Sequence, residues 1–156
     1  MARSRKDPRH RAREAALQIL YQWEIGARKV ENAADTFFTR QWPDEDEPPD
    51  ELRSFATRLA VDTVDRLAEI DPLIAETAKR WRPERMAVLD RLILRMAICE
   101  MLRDVETPGP VVINEALELA RTFTTEESVK FINGMLDAIR QKIATRTQRS
   151  TKDTEA

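Results

Sequence analysis

The chain reads as all-α, with about seven helices, and three observations carry that reading. Apolar residues recur at three- and four-residue steps along most of the 156 residues. No segment alternates as a half-buried strand does. Only 3 glycines stand against 8 prolines, too few for the left-handed turns that many short strands require, while the prolines punctuate helix ends.

Asp7-Pro8 has the form of a helix cap followed by Pro at the first helical position, and the first helix is predicted to run to about Ala27. Its main stripe is Ala12, Ala16, Ile19, Leu20 and Trp23, while Leu17, Tyr21 and Ile25 repeat on the opposite side. A helix apolar on two sides is either central to the fold or keeps one side for a partner. A short helix over about 32–40 carries Phe37 and Phe38, and Pro43 to Pro49 is an acidic, Pro-rich loop expected to be mobile. A long helix is predicted over about 50–70, turning Leu52, Phe55, Ala56, Leu59, Val64 and Leu67 inward. Asp71-Pro72 repeats the cap-then-Pro signature and opens a helix to about Arg80, after which Trp81-Arg82-Pro83 breaks the chain.

From Pro83 to Asp104 the sequence is at its most apolar, which marks the central helix. Arg91 and Arg95 lie four apart on it and repel each other mildly. Each needs a carboxylate from another element, with Glu14, Glu115 and Asp137 as candidates for structural ion pairs. Thr107-Pro108-Gly109-Pro110 is a break, and 111–123 is helical with Ile113, Ala116, Leu117, Ala120 and Phe123 on one side. Thr124 and Glu127 have the capping-box spacing and open the last helix, striped by Val129, Ile132, Met135, Leu136, Ile139 and Ile143. The organisation expected is a basic flexible arm at 1–8, a helical domain over 9–144 and a disordered tail at 145–156. The domain would divide into sub-bundles at about 9–70 and 71–144.

Composition narrows the chemistry. A single cysteine, Cys99, excludes an internal disulfide and a Cys-based zinc site, and reads as a small buried hydrophobe. A single histidine, His10, leaves no pair for a metal or a proton relay. No Gly-rich phosphate loop, nucleophile elbow or metal-ligand cluster stands in the sequence, so no enzyme, cofactor or metal is expected. No apolar stretch is long enough to cross a membrane, and no hydrophobic segment follows the basic start, so a soluble cytoplasmic protein is expected.

The formal net charge is −2, but the charge is segregated. Arg3, Arg5, Lys6, Arg9, Arg11 and Arg13 face one acid, Asp7, in the first 13 residues; Asp44 to Glu51 holds six carboxylates; Arg140 onward is basic again. Phosphate binding depends on local positive density, so the net total does not exclude nucleic acid. Two aromatics lie off the main stripes. Phe131 sits to one side of the last helix's stripe, with Gly134 a turn further on. The ring either stacks on a base, with Gly134 leaving room, or fills a gap against a neighbouring helix that Gly134 lets approach. Tyr21 poses the same choice, between a base and a second layer of the bundle. Arginine grips phosphate bidentately and stacks on bases, which favours single-stranded RNA over duplex DNA.

Several segments together resemble the NusB family of bacterial transcription antitermination proteins. They are Arg11-Ala12-Arg13-Glu14, Ala16-Leu17-Gln18 and Leu20-Tyr21-Gln22; Asp90-Arg91, Ile93-Leu94-Arg95 and Ala97; Ile113-Asn114-Glu115-Ala116 and Glu118-Leu119-Ala120; and Ser128, Lys130-Phe131, Asn133-Gly134 and Leu136-Asp137. The resemblance spans about Arg9 to Ile139 in the family's order. It implies two packed three-helix bundles and a non-enzymatic factor that pairs with NusE, a small-subunit ribosomal protein. That pair binds single-stranded boxA RNA of nascent transcripts, ribosomal ones included, and helps assemble a termination-resistant RNA polymerase complex. Carried over by position, the resemblance implies RNA contacts at Arg9, His10, Arg11, Arg13, Tyr21, Lys130 and Phe131, and a NusE contact at Asp90. The chain departs from the family at His10, where many relatives have Arg, at Cys99, where Tyr is frequent, and in its longer acidic loop. A NusB-like domain also opens certain RNA cytosine methyltransferases, whose catalytic domain is not expected here. The alternative function is a helical protein–protein adaptor, or a homodimer built on the second side of the first helix, with incidental RNA contact.

Overall fold

The computed structural model describes residues 8–26, 28–78, 85–103 and 107–155, the stretch 149–155 as backbone alone. Seven α-helices follow in order: α1 Pro8–Gly26, α2 Val30–Thr36, α3 Asp50–Asp65, α4 Leu67–Thr77, α5 Val88–Arg103, α6 Gly109–Phe123 and α7 Glu126–Glu155. No strand occurs among the described residues, in keeping with the all-α class. The chain divides into two compact units between Leu67 and Ala68. The Asp7 cap, the rest of the basic arm at 1–7, and Trp81-Arg82-Pro83 lie outside the described residues.

In the first unit α1, α2 and α3 pack on one another. Alanines at 12, 15 and 16 of α1 and at 56 and 60 of α3 are all buried, and side chains this small let two helix axes come close. Ile19, Leu20 and Leu59 are fully enclosed, each worth about 1.5–3 kcal/mol of burial. The second side of α1 does not behave as one face: Leu17 is buried, whereas Tyr21 and Ile25 are 42% and 60% exposed. After α2 the chain widens into a π-turn, Phe37–Gln41. A wider turn reduces the angle between successive residues, and the neighbouring rings of Phe37 and Phe38 both turn inward, edge to face at 5.1 Å.

The second unit is a three-helix bundle of α5, α6 and α7 with α4 attached. Every residue of α5 from Asp90 to Glu100 is buried, Cys99 included. The sequence places one helix over 50–70 and a cap at Asp71; the chain instead breaks at Arg66, and Pro72 lies inside α4. The side chain of Asp71 is committed elsewhere. Arg95 donates to it through Nε and Nη2, both at 2.9 Å, so the carboxylate is held by α5 and does not cap a helix. Asp71 is thus a carboxylate for Arg95 outside the set Glu14, Glu115 and Asp137. The cap of α7 also shifts by one residue. The Ser128 N–H donates to Thr125 Oγ1 at 3.2 Å, while Thr124 donates to the Ala120 carbonyl at 2.6 Å and closes α6.

The tail expected to be disordered is helical, α7 continuing to Glu155. Propagating a helix costs less than starting one. Its start is also tied down, since Arg146 reaches both Glu76 oxygens at 3.1 Å, and just before it Lys142 Nζ donates to Thr77 Oγ1 at 2.9 Å. The acidic segment at 43–49 is non-helical as expected, but it is tied to α1 through Asp44. Asp50 and Glu51 form the first turn of α3, where negative charge complements the helix dipole.

Candidate nucleic-acid interface

The start of α1 carries cations and no acid in its first turn. Unpaired N–H groups and the dipole make that end favourable for an anion, and the arginines add to it. Helix geometry then splits the basic run, because residues two apart point about 200° from each other. On one side Arg9 and Arg13 share a single ring, their guanidiniums 5.3 and 5.4 Å from the centroid of Phe55 on α3. On the other, Arg11 stacks over Trp42 at 5.1 Å and pairs with Asp44.

Exposure separates these residues further. Arg9 is exposed and Arg11 half-buried, but Arg13 and His10 are only 4% and 6% exposed. His10 Nε2 lies 2.9 Å from Glu14 Oε1, one turn on. His10 and Arg13, expected to meet RNA, are therefore built into the protein, and Arg9 and Arg11 are the cations this part of α1 presents. Tyr21 presents its ring on the same helix.

In the second unit the start of α7 carries the other expected residues. Lys130 is exposed and Phe131 half-buried. Gly134 is exposed, and a Cβ built on it meets nothing within 4 Å. No neighbouring helix uses the absent side chain, so the glycine leaves open space one turn beyond the ring. Asp90, in the first turn of α5, accepts a hydrogen bond from Ser128 Oγ at 2.9 Å and is 9% exposed. Its side chain fixes the first turn of α7 to α5 and offers little surface to a partner. Among the described residues no group of His, Cys, Asp and Glu could hold a metal, and no helix is long and apolar enough to cross a membrane.

The NusB family model matches residues 10–141. The chain belongs to the NusB family. It is 47% identical over 135 residues to the transcription antitermination protein NusB of Solibacter usitatus (strain Ellin6076), covering 86% of this chain and 90% of that one. A solved NusB of T. maritima superposes with a TM-score of 0.77 at 32% identity, covering 87% of this chain and 92% of that one. The fold is shared, with a TM-score of 0.72 at 23% identity, by a chain of a crystal structure of antitermination factors NusB and NusE in complex with dsRNA; 86% of this chain and 97% of that chain are covered.

On this NusB scaffold three residues matter that the sequence did not single out for the interface: Phe55, Trp42 and Asp44. Phe55 was legible only as an inward residue of a long helix. Trp42 and Asp44 stand 31 and 33 positions from Arg11, and no local spacing relates residues so far apart. The one signal available was that six carboxylates in one run match six basic residues in the other.

Proposed function

We propose that the chain is a transcription antitermination factor. With NusE it binds the single-stranded boxA element of nascent transcripts, ribosomal ones included, and helps assemble a termination-resistant RNA polymerase complex without changing a covalent bond. The observation that carries the reading is Phe131, half-buried beside the unfilled space at Gly134. A base can stack there, a contact worth about 1–3 kcal/mol. Arg9, Arg11 and Lys130 supply phosphate contacts and Tyr21 a second ring. His10 and Arg13 act as supports, and Asp90 bears on NusE through the turn of α7 that it fixes.

Titration of a fluorescent boxA oligonucleotide, with and without NusE, tests this. Phe131→Leu keeps an apolar side chain of similar reach but removes the π-face, and should weaken binding by about 1 kcal/mol or more. Wild-type protein that fails to bind the oligonucleotide even with NusE would overturn the reading. The exposure of Tyr21 and Ile25, one turn apart on α1, favours a second reading in which this face joins two copies. Light scattering at micromolar concentration separates the two, because a stable dimer covering Tyr21 would remove that ring from the RNA surface.

A further inference from the structure

Asp44 is held in place by more than its own charge. The Trp42 ring packs edge-on against Phe37 at 6.3 Å and tilted against Phe38 at 5.8 Å. Its indole N–H donates to the Asp46 carbonyl at 3.0 Å, which folds the 42–46 segment back on itself. Just before it, the side-chain amides of Gln41 and Gln22 bond the π-turn to α1. These contacts bring Asp44 to Arg11, whose Nη2 donates to Asp44 Oδ2, while the guanidinium face lies over Trp42. The pair is a surface one, Arg11 being 28% and Asp44 48% exposed at the side chain. Glu45 and Glu47 beside it are exposed.

We propose that Asp44 is an affinity-setting residue of the RNA site, a carboxylate that occupies Arg11 until an RNA phosphate displaces it. The proposal rests on the RNA-binding reading above. A carboxylate and a phosphate make the same kind of charge-assisted bonds to a guanidinium edge, so the two compete for one set of donors. The Trp42 stack uses the guanidinium face and survives the exchange, which leaves Arg11 oriented while its edge changes partner. Free protein with Arg11 engaged is not competent for that contact, and apparent affinity falls by the competent fraction. An exposed ion pair of ordinary strength corresponds to a factor of about two to five. The contribution to fold stability is small, whereas the effect on RNA binding is direct because the same arginine is wanted twice.

The test is binding of the boxA oligonucleotide, in the presence of NusE, by wild type, Asp44→Asn, Glu45→Gln, Arg11→Ala and the Arg11→Ala/Asp44→Asn double variant. Asp44→Asn should tighten binding about two- to fivefold. Glu45→Gln removes the same charge from the same segment and should gain clearly less. In the Arg11→Ala background the gain from Asp44→Asn should vanish. Equal gains from Asp44→Asn and Glu45→Gln, a gain that persists without Arg11, or no gain at all would each overturn the proposal while leaving the RNA reading standing. Loss of binding by wild type would instead overturn the RNA reading, and this proposal with it.

Discussion

Phe55 holds two guanidiniums on one ring, Arg9 at 5.3 Å and Arg13 at 5.4 Å, and the two arginines have opposite fates. Arg13 is enclosed, while Arg9 keeps its exposure. The ring therefore fixes the direction of a surface cation through a contact that costs it little hydration. Each such contact is worth about 0.5–1 kcal/mol at an exposed site and more when desolvated. Phe55→Leu keeps most of the apolar volume and removes the quadrupole, so it should destabilise the protein by about 1–2 kcal/mol. Phe55→Tyr, which retains the π-face, should recover most of the loss. Urea-denaturation midpoints of the three proteins check this. At this scale the sequence was a partial guide. It named the arginines correctly as basic residues of a helix start, but treated them as one patch. Burial of Arg13 and His10 depends on what α3 and Glu14 place beside them, and a composition of charges carries no such information.

Helix identity was the most legible property, because α1, α3, α6 and α7 each carry an apolar stripe at helical spacing and α5 is apolar along most of its length. Helix boundaries were less so, and α4 shows why. Asp-Pro is a local start signal, but Asp71 spends its carboxylate on Arg95, a residue 24 positions away. Truncating it should be expensive, since Arg95 is only 10% exposed at the side chain and Asp71 34%. Removing one partner of a fully buried charge pair costs about 3–5 kcal/mol; this pair is only part-buried, so Asp71→Ala should cost less, about 1–3 kcal/mol. Thermal or urea unfolding measures it. At the start of α7 stability and binding should move in opposite directions. Gly134 is an exposed helical glycine with free space around it, so Gly134→Ala should stabilise the fold by about 0.5–1 kcal/mol. A methyl group placed beside Phe131 would at the same time narrow the space a stacked base enters, and RNA affinity should fall. If affinity holds while stability rises, the base does not use that side of the ring.

For the molecule as a whole, a formal net charge of −2 predicts weak repulsion from any polyanion, yet cations gather at the start of α1, and Lys130 is exposed near the start of α7. Those two facts make different forecasts for salt dependence. If net charge governed association, salt would screen the repulsion and affinity would rise slightly with it. If discrete phosphate contacts govern it, the logarithm of affinity falls with the logarithm of salt by about 0.7 per contact on a single strand. Arg9, Arg11 and Lys130 are the cations assigned to phosphates in the proposed site, so three contacts would give a slope of about −2. Replacing Arg9 or Lys130 with Ala should flatten the slope by about 0.7 each. Phe131→Leu should lower affinity by a similar factor at every salt concentration and leave the slope alone, because stacking releases no counterions. Anisotropy titrations across a NaCl series separate these effects. A wild-type slope near zero would mean that the rings alone hold the RNA and that the arginines of α1 serve only the packing around Phe55 and Trp42.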